Sequence, residues 1–329
     1  MRIGVIGAGG MGCLYGGRLT QAGYDVTLLD IWRPHVDALK SSGLLLDGIG
    51  GEARIAIKAA SNPADMPQCG LAIIFVDANS TRNAARIARS ILSDNGYALT
   101  LQNGIGNVEA LIDELGDTRV MGGLSYHSAA LKGPGHVTHT HSGPTWLGER
   151  DGTQSPRLKQ LLEIHARAGL QPVEVDDITG YIWDKWVLNS AINPVSAITG
   201  LRQGEIPRTP PVEEFQTRVI DEILAVIAAK GIHLHDPDIK TSIKDQCWKK
   251  FNKPSMQQHV EAGKRTEIDA LNGAVVRLGR EAGVPVPFNE AITMLIKGLE
   301  KSRKQSVDGP SIDYDALEAE AVRTPRPAT

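Results

Sequence analysis

Apolar positions divide the chain into two halves with different periods. In the first half, short unbroken apolar runs alternate with stretches of helical period. Residues 1–6 carry Ile3, Val5 and Ile6, a run that reads as a strand covered on both faces. A helical pattern follows over 14–22, and Val26, Leu28 and Leu29 return as a second strand. The exchange recurs as helix 33–42, with Pro34 in its first turn, buried run 71–76, helix 81–92 and strand 97–102. Helix 107–115, strand 119–125, helix 156–168 and short strand 171–175 continue it. Two stretches alternate only locally: 43–60, which suggests a short strand pair or an irregular excursion, and 136–148. Strands exchanging with helices predict a doubly wound parallel sheet, an α/β domain whose ligand lies along the carboxyl ends of the strands. From residue 180 onward strand signals stop, and helices are expected over 181–197, 212–230, 237–249, 257–282 and 289–303. The boundary therefore falls at 176, with a dinucleotide-type domain over 1–176 and an all-helical domain over 177–320. The segment 321–329, Pro-rich and without apolar pattern, is expected to be disordered.

Between the first strand and the first helix stands Gly7-Ala8-Gly9-Gly10-Met11-Gly12. In a strand–turn–helix–strand context this spacing binds dinucleotides. Gly7 permits the tight turn, Gly9 lets a diphosphate approach the backbone, and Gly12 lets the helix pack close on the strand. The diphosphate would lie at the helix N-terminus, where free N–H groups and the helix dipole favour negative charge. A glycine turn can also serve packing alone, but Asp30 at the end of the second strand argues for the ligand. A carboxylate there accepts hydrogen bonds from both ribose hydroxyls and repels a 2′-phosphate, so NAD(H) is favoured over NADP(H).

Composition narrows the field. The 329 residues carry a formal charge of −3 spread along the length, which argues against nucleic acid or an anionic membrane surface as partner. No apolar run approaches a membrane span. Cys13, Cys69 and Cys247 are isolated and show no metal or redox spacing, as expected in a reducing compartment. The first strand begins at Met1, so no leader is expected and the chain should be soluble and cytoplasmic. His127, His136, His139 and His141 cluster in sequence without the spacing of a zinc site, so no metal is expected.

Three groups of residues could carry chemistry. Lys185, Asn189 and Asn193 are spaced i, i+4, i+8, which sets one amine and two carboxamides on one helix face. Such a stripe must be solvated, paired or presented to a ligand, and spacing alone does not choose. Asn252 and Ser255 lie ahead of Arg265-Thr266-Glu267-Ile268-Asp269 and Asn272-Gly273. On spacing alone Glu267 reads as a solvated helical carboxylate. Asn103 follows a central strand, where an α/β sheet meets its ligand, although an asparagine there also suits a turn.

Taken together, these motifs resemble the ketopantoate reductases (2-dehydropantoate 2-reductases). The likeness runs from the glycine turn to Gly283-Val284-Pro285-Val286-Pro287-Phe288-Asn289. Its specific parts are Gln102-Asn103-Gly104-Ile105-Gly106, Trp183-Asp184-Lys185-Trp186-Val187-Leu188-Asn189 with Asn193-Pro194, and the segment around Glu267. The resemblance implies a Rossmann domain followed by a helical domain like those of hydroxyacid dehydrogenases, with the active site between them. It implies reduction of a small 2-oxo acid to a 2-hydroxy acid with a nicotinamide cofactor, by default 2-dehydropantoate to pantoate. Lys185 resembles the catalytic lysine, Glu267 its partner acid, and Asn103 the residue that helps hold nicotinamide and lysine. Asn189, Asn193, Asn252 and Ser255 match the substrate shell. Two positions depart from the family's usual NADPH pattern. Asp30 is followed by Ile31 and Trp32, with Arg33 only later, and Asp77 stands where many members have a cofactor-binding lysine. Both favour NAD(H), leave NADP(H) open through Arg33, and weaken a role in pantothenate biosynthesis in favour of another hydroxy acid oxidised in catabolism. An opine-type dehydrogenase, or a dinucleotide sensor without catalysis, would share the two-domain plan. The long helix expected over 257–282 leaves room for a homodimer interface.

Overall fold

A computed structural model describes residues 1–309 and 313–323. The first half runs β1 (Arg2–Ile6), α1 (Gly10–Gln21), β2 (Asp25–Leu29), α2 (Arg33–Ser42), β3 (Leu44–Gly48), β4 (Ala53–Ile55) and β5 (Lys58–Ala60). It continues β6 (Cys69–Ile74), α3 (Thr81–Ile91), β7 (Leu92–Thr100), α4 (Asn107–Leu115) and β8 (Val120–Ser125). Then come β9 (Ser128–Gly133), β10 (His136–His141), β11 (Thr145–Leu147), α5 (Pro156–Arg167) and β12 (Pro172–Glu174). Eight strands form one sheet in the order β12-β11-β8-β7-β6-β1-β2-β5, parallel from β5 to β8 and turned antiparallel at the β8–β11 pair.

The two locally alternating stretches have distinct fates. β5 joins the edge of the main sheet, while β4, β3, β10 and β9 form a second, four-stranded sheet. The chain between 128 and 133, which has no strong pattern of its own, supplies its last strand. This second sheet clamps α1 from outside. A Cβ on Gly10 would stand 2.4 Å from the Ala129 carbonyl oxygen, whereas one on Gly12 would stand 1.8 Å from that of Gly7. Glycine at both positions lets α1 press against a sheet on each side.

The second half is helical: α6 (Ile178–Thr199), α7 (Pro210–Ala229), α8 (Ile239–Lys249), α9 (Ser255–Glu261), α10 (Asn272–Ala282), α11 (Pro287–Asp308) and α12 (Tyr314–Arg323). Pro194 sits inside α6 and has no N–H for the carbonyl four residues back, that of Ser190. The Asn272 amide fills the gap, donating to Ser190 O at 3.0 Å and to Asn289 Oδ1 at 2.9 Å. Asn289 in turn donates to Val219 O and Glu222, so one buried network joins α6, α7, α10 and α11.

Two expectations are corrected. The helix expected over 257–282 is broken: α9 stops at Glu261, residues 262–271 turn, and α10 starts at Asn272. Gly263, at φ +66°, takes the left-handed conformation that ends α9, and the Thr266 hydroxyl accepts from the Ile268 N–H as a local turn. Glu267 therefore lies on a turn, and no continuous helix is there to form a dimer face. At the C-terminal end, α12 extends to Arg323, because Ala316-Leu317-Glu318-Ala319-Glu320-Ala321 are good helix formers. Residues 324–329 of the expected disordered tail lie outside the described residues.

His165 on α5 is fully buried beside the Tyr15 ring, its Nδ1–H donating to Leu161 O at 2.8 Å and its Nε2 without a partner among the described residues. Burial pushes its pKa down to about 4. The unfolded chain binds a proton at this residue below about pH 6.5 and the folded chain does not, so stability is lost as pH falls. For His165 alone the loss amounts to about 2 kcal/mol by pH 5. Thermal melts between pH 7 and 5 should show a falling Tm, with a shallower fall in His165→Leu. An equal slope in both proteins would refute the assignment to this side chain.

Candidate active site

The glycine turn behaves as its spacing predicts. Gly7 adopts φ +96°, and a Cβ there would meet the backbone of Phe75 and Val76 at 2.8 Å. Gly9 has nothing within 4 Å of a built Cβ, so the open side of the turn lies at the residue that would face a diphosphate. The N–H groups at the start of α1 point to the same place. Asp30 closes the turn from the end of β2: one carboxylate oxygen accepts from Ala8 N at 2.8 Å and the other from Trp32 N at 2.9 Å. Each oxygen keeps a further lone pair for a ligand. The residues present thus fit a dinucleotide.

Beyond the turn, a cleft of about 440 Å³ opens between the carboxyl ends of β6, β7 and β8 and the helices α6, α8 and α9. It brings together Met11, Asn103, Lys185, Asn189, Asn193, Asn252, Ser255 and Glu267, residues separated by up to 256 positions in sequence (267 − 11). Gly7, Gly9, Gly10, Gly12, Asp30 and Asp77 do not line it. Asp77 is exposed and caps the short turn after β6, accepting from Asn79 N and Nδ2. The amide stripe is neither paired nor turned outward. Among the described residues the side chains of Asn189, Asn193, Asn252 and Ser255 have no hydrogen-bond partner and face the cleft. Asn193 is only 7% exposed.

Lys185 sits in the second turn of α6, where the apolar neighbours Trp186 and Val187 bury the helix against the domain core. Its Nζ donates to Ser125 O at 2.7 Å and lies 4.9 Å from the centre of the Tyr126 ring. Burial pushes the amine down to about 8, against the pull of the Glu267 carboxylate, which favours the charged form. Burial likewise pushes Glu267 up, helped by Asp77 and opposed by the hydrogen bond from Asn103 Nδ2 at 3.3 Å and by Lys185. An amine this close to neutrality can give up a proton near physiological pH.

A polar network fixes the loops around this pair. Asn107 Nδ2 donates to Asn103 O, Thr81 Oγ1 donates to Asn107 Oδ1, and Gln102 Nε2 donates to Val76 O and Thr81 Oγ1. The ends of β6 and β7 are thus tied together. On the other side, Tyr15 of α1 donates to Ser125 Oγ at 2.8 Å, which links the cofactor helix to the residue that holds Lys185. Sequence reasoning missed Ser125 and Tyr126, because a backbone carbonyl and a ring face have no motif. It also missed Gln203, which is 3% exposed and lines the cleft.

A glycine-turn nucleotide fold joined to a helical domain, with a desolvated lysine in the cleft between, defines a nicotinamide-dependent oxidoreductase of two-domain hydroxyacid type. The chain belongs to the ketopantoate reductase family. Residues 3–152 match Ketopantoate reductase PanE/ApbA and residues 177–300 match Ketopantoate reductase PanE/ApbA C terminal. A 2-dehydropantoate 2-reductase of Archaeoglobus fulgidus is 34% identical over 91% of this chain and 98% of its own length. A PanE/ApbA family ketopantoate reductase from Ralstonia eutropha superposes with a TM-score of 0.84 at 32% identity, over 92% of this chain and 100% of that one. D-mandelate dehydrogenase in a ternary structure with NADH and anilino(oxo)acetate superposes with the same TM-score at 27% identity, over the same shares.

Because Glu267 raises the Lys185 pKa, Glu267→Gln should move the alkaline limb of the pH–rate profile to lower pH. An unmoved limb would show that the carboxylate does not act on the amine.

Proposed function

We propose that the protein is a 2-oxo-acid reductase that uses NADH, with 2-dehydropantoate as the default substrate and Lys185 as proton donor. The observation that carries this is the Lys185 amine, held at 2.7 Å by Ser125 O in a cleft that also presents the unpaired side chains of Asn189, Asn193, Asn252 and Ser255. The nicotinamide cofactor, when bound, supplies the hydride. As the ketone carbon receives it, negative charge builds on oxygen. The Lys185 ammonium stabilises that charge and transfers its proton to the oxygen. Asn189, Asn193, Asn252 and Ser255 offer neutral donors to the carboxylate and hydroxyl of the substrate, so no further charge is buried. Glu267 favours the protonated amine, and Asn103 holds Glu267.

The cofactor preference follows from charge. Asp30 presents a carboxylate beside the glycine turn, and Asp77 adds a second negative group at the next strand end, both unfavourable to a 2′-phosphate. Arg33, exposed at the start of α2, is the nearby cation that NADP(H) would need. The same two aspartates favour a second reading, oxidation of another 2-hydroxy acid with NAD. D-Mandelate dehydrogenase, solved with NADH on this fold, supports it. A panel of 2-oxo and 2-hydroxy acids with both cofactors decides between the two, and turnover of a 2-oxo acid without any amine dismisses the opine alternative. We place the protein in the cytoplasm as a small-molecule enzyme. Among the described residues no helix is long and apolar enough to cross a membrane.

Lys185→Ala should lower kcat by about 100-fold or more while NADH still binds in a fluorescence titration. Retained kcat with lost NADH binding would reverse the assignment. NADH should be used at least about tenfold better than NADPH, a discrimination of ~1.4 kcal/mol. Asp30→Ala should narrow that ratio. Equal kcat/KM for the two cofactors in the unmutated enzyme would refute the preference.

A further inference from the structure

We infer that Tyr126 and Trp146 form an aromatic bracket that positions the Lys185 ammonium. Tyr181 and Lys185 stand one turn apart on the same face of α6. The Tyr181 ring meets Trp146 of β11 edge-on at 4.5 Å, and Trp146 lies 5.1 Å from Tyr126. The Tyr126 face then returns to Lys185 Nζ at 4.9 Å. The run Tyr181–Trp146–Tyr126 thus leads from α6 through β11 and the turn after β8 back to the amine on the same helix. The backbone fixes its far side. Trp146 pairs with Leu124 in the β8–β11 ladder, and Tyr126 N donates to Pro144 O at 2.9 Å. Gly143 lets that loop approach, since a Cβ there would stand 2.8 Å from the Tyr126 carbonyl oxygen.

The bracket answers a need the carboxylate leaves unmet. Glu267 acts on Lys185 through space and uses its hydrogen bond on Asn103, and Ser125 O can take only one of three ammonium protons. A ring face attracts a cation without accepting its proton. Tyr126 therefore keeps the amine charged and aimed while adding no group that competes for the proton.

Other ionisable groups surround the amine. Asp184 is its neighbour on α6, with its carboxylate bonded to the N–H groups of His235 and Asp236 from the α7–α8 connection. Lys250, Lys253 and His259 line the cleft from the α8–α9 side, His127 and His141 line it from the sheet side, His235 stacks on Tyr181, and the Asp77 charge acts on Glu267. Aromatic substitutions leave all of these in place, so a comparison among them isolates the ring.

The inference rests on Lys185 as proton donor, and pH–rate profiles test it. In Tyr126→Leu the ammonium loses its ring face and its pKa falls. The alkaline limb should move down by about half a unit to one unit, with kcat reduced near pH 8 more than KM is raised. Tyr126→Phe, which keeps the face and drops only the hydroxyl, should keep the limb where it is. Trp146→Leu should move it in the same direction by less, and Trp146→Phe should restore it. An unmoved limb in Tyr126→Leu, or a shift in Tyr126→Phe as large, overturns the bracket. Should Tyr126→Leu fail to bind NADH or to melt cooperatively, the Trp146 pair decides, and no shift there overturns it equally. If instead the unmutated enzyme has no alkaline limb, or Lys185→Ala keeps its kcat, it is the proton-donor reading that fails.

Discussion

Everything in the cleft depends on the burial of one ammonium. A lysine in water holds its proton too tightly to donate readily near neutral pH. A lysine buried without partners loses the proton altogether. Here α6 carries Lys185 into a desolvated position, and a carbonyl, a ring and a carboxylate at longer range keep it charged. The result is an amine balanced between its two states. The carbonyl and the ring are neighbours in the first half and the carboxylate lies in the second, so the balance exists only when both halves are packed together.

That dependence explains why the first half does more than bind a nucleotide. The same helix α1 that begins in the glycine turn sends Tyr15 inward to Ser125, and Ser125 holds Lys185. One short chain of contacts thus runs from the cofactor's expected seat to the buried amine. The loops after β6 and β7 are tied to each other by Gln102, Thr81 and Asn107, and Asn103 at their junction reaches Glu267. Two separate routes from the sheet therefore converge on the same pair of ionisable side chains.

Much of this was legible in sequence, for physical reasons that can be stated residue by residue. The glycine turn carries steric demands that few other arrangements share, and Gly7, Gly9 and Gly12 meet three different ones. The Lys185 stripe was visible because helical periodicity is regular, but its direction was not, since spacing cannot tell a cleft from solvent. Resemblance to a family supplied that direction. Glu267 misled because its neighbours look helical, and the turn around it comes from Gly263 and from the long-range contact of Asn103. Ser125, Tyr126 and Trp146 left no trace, as their roles belong to a carbonyl and two ring faces brought together by strand pairing. Patterns along a chain record what neighbours in sequence do. They are silent about groups that meet only across a domain junction.

Pro194 and Asn272 carry a consequence of another kind. The proline removes one rung from the helix that bears Lys185, Asn189 and Asn193, and an amide from 78 positions away replaces it (272 − 194). The two residues therefore form a single inheritable unit. A relative that acquired the proline without the asparagine would bury an unanswered carbonyl behind its active site, and one with the asparagine alone would carry a donor competing with an intact helix. Replacing α10 of this chain with one that lacks the asparagine would leave the Ser190 carbonyl without this donor. The cleft is thus constrained from its back, by residues that do not line it.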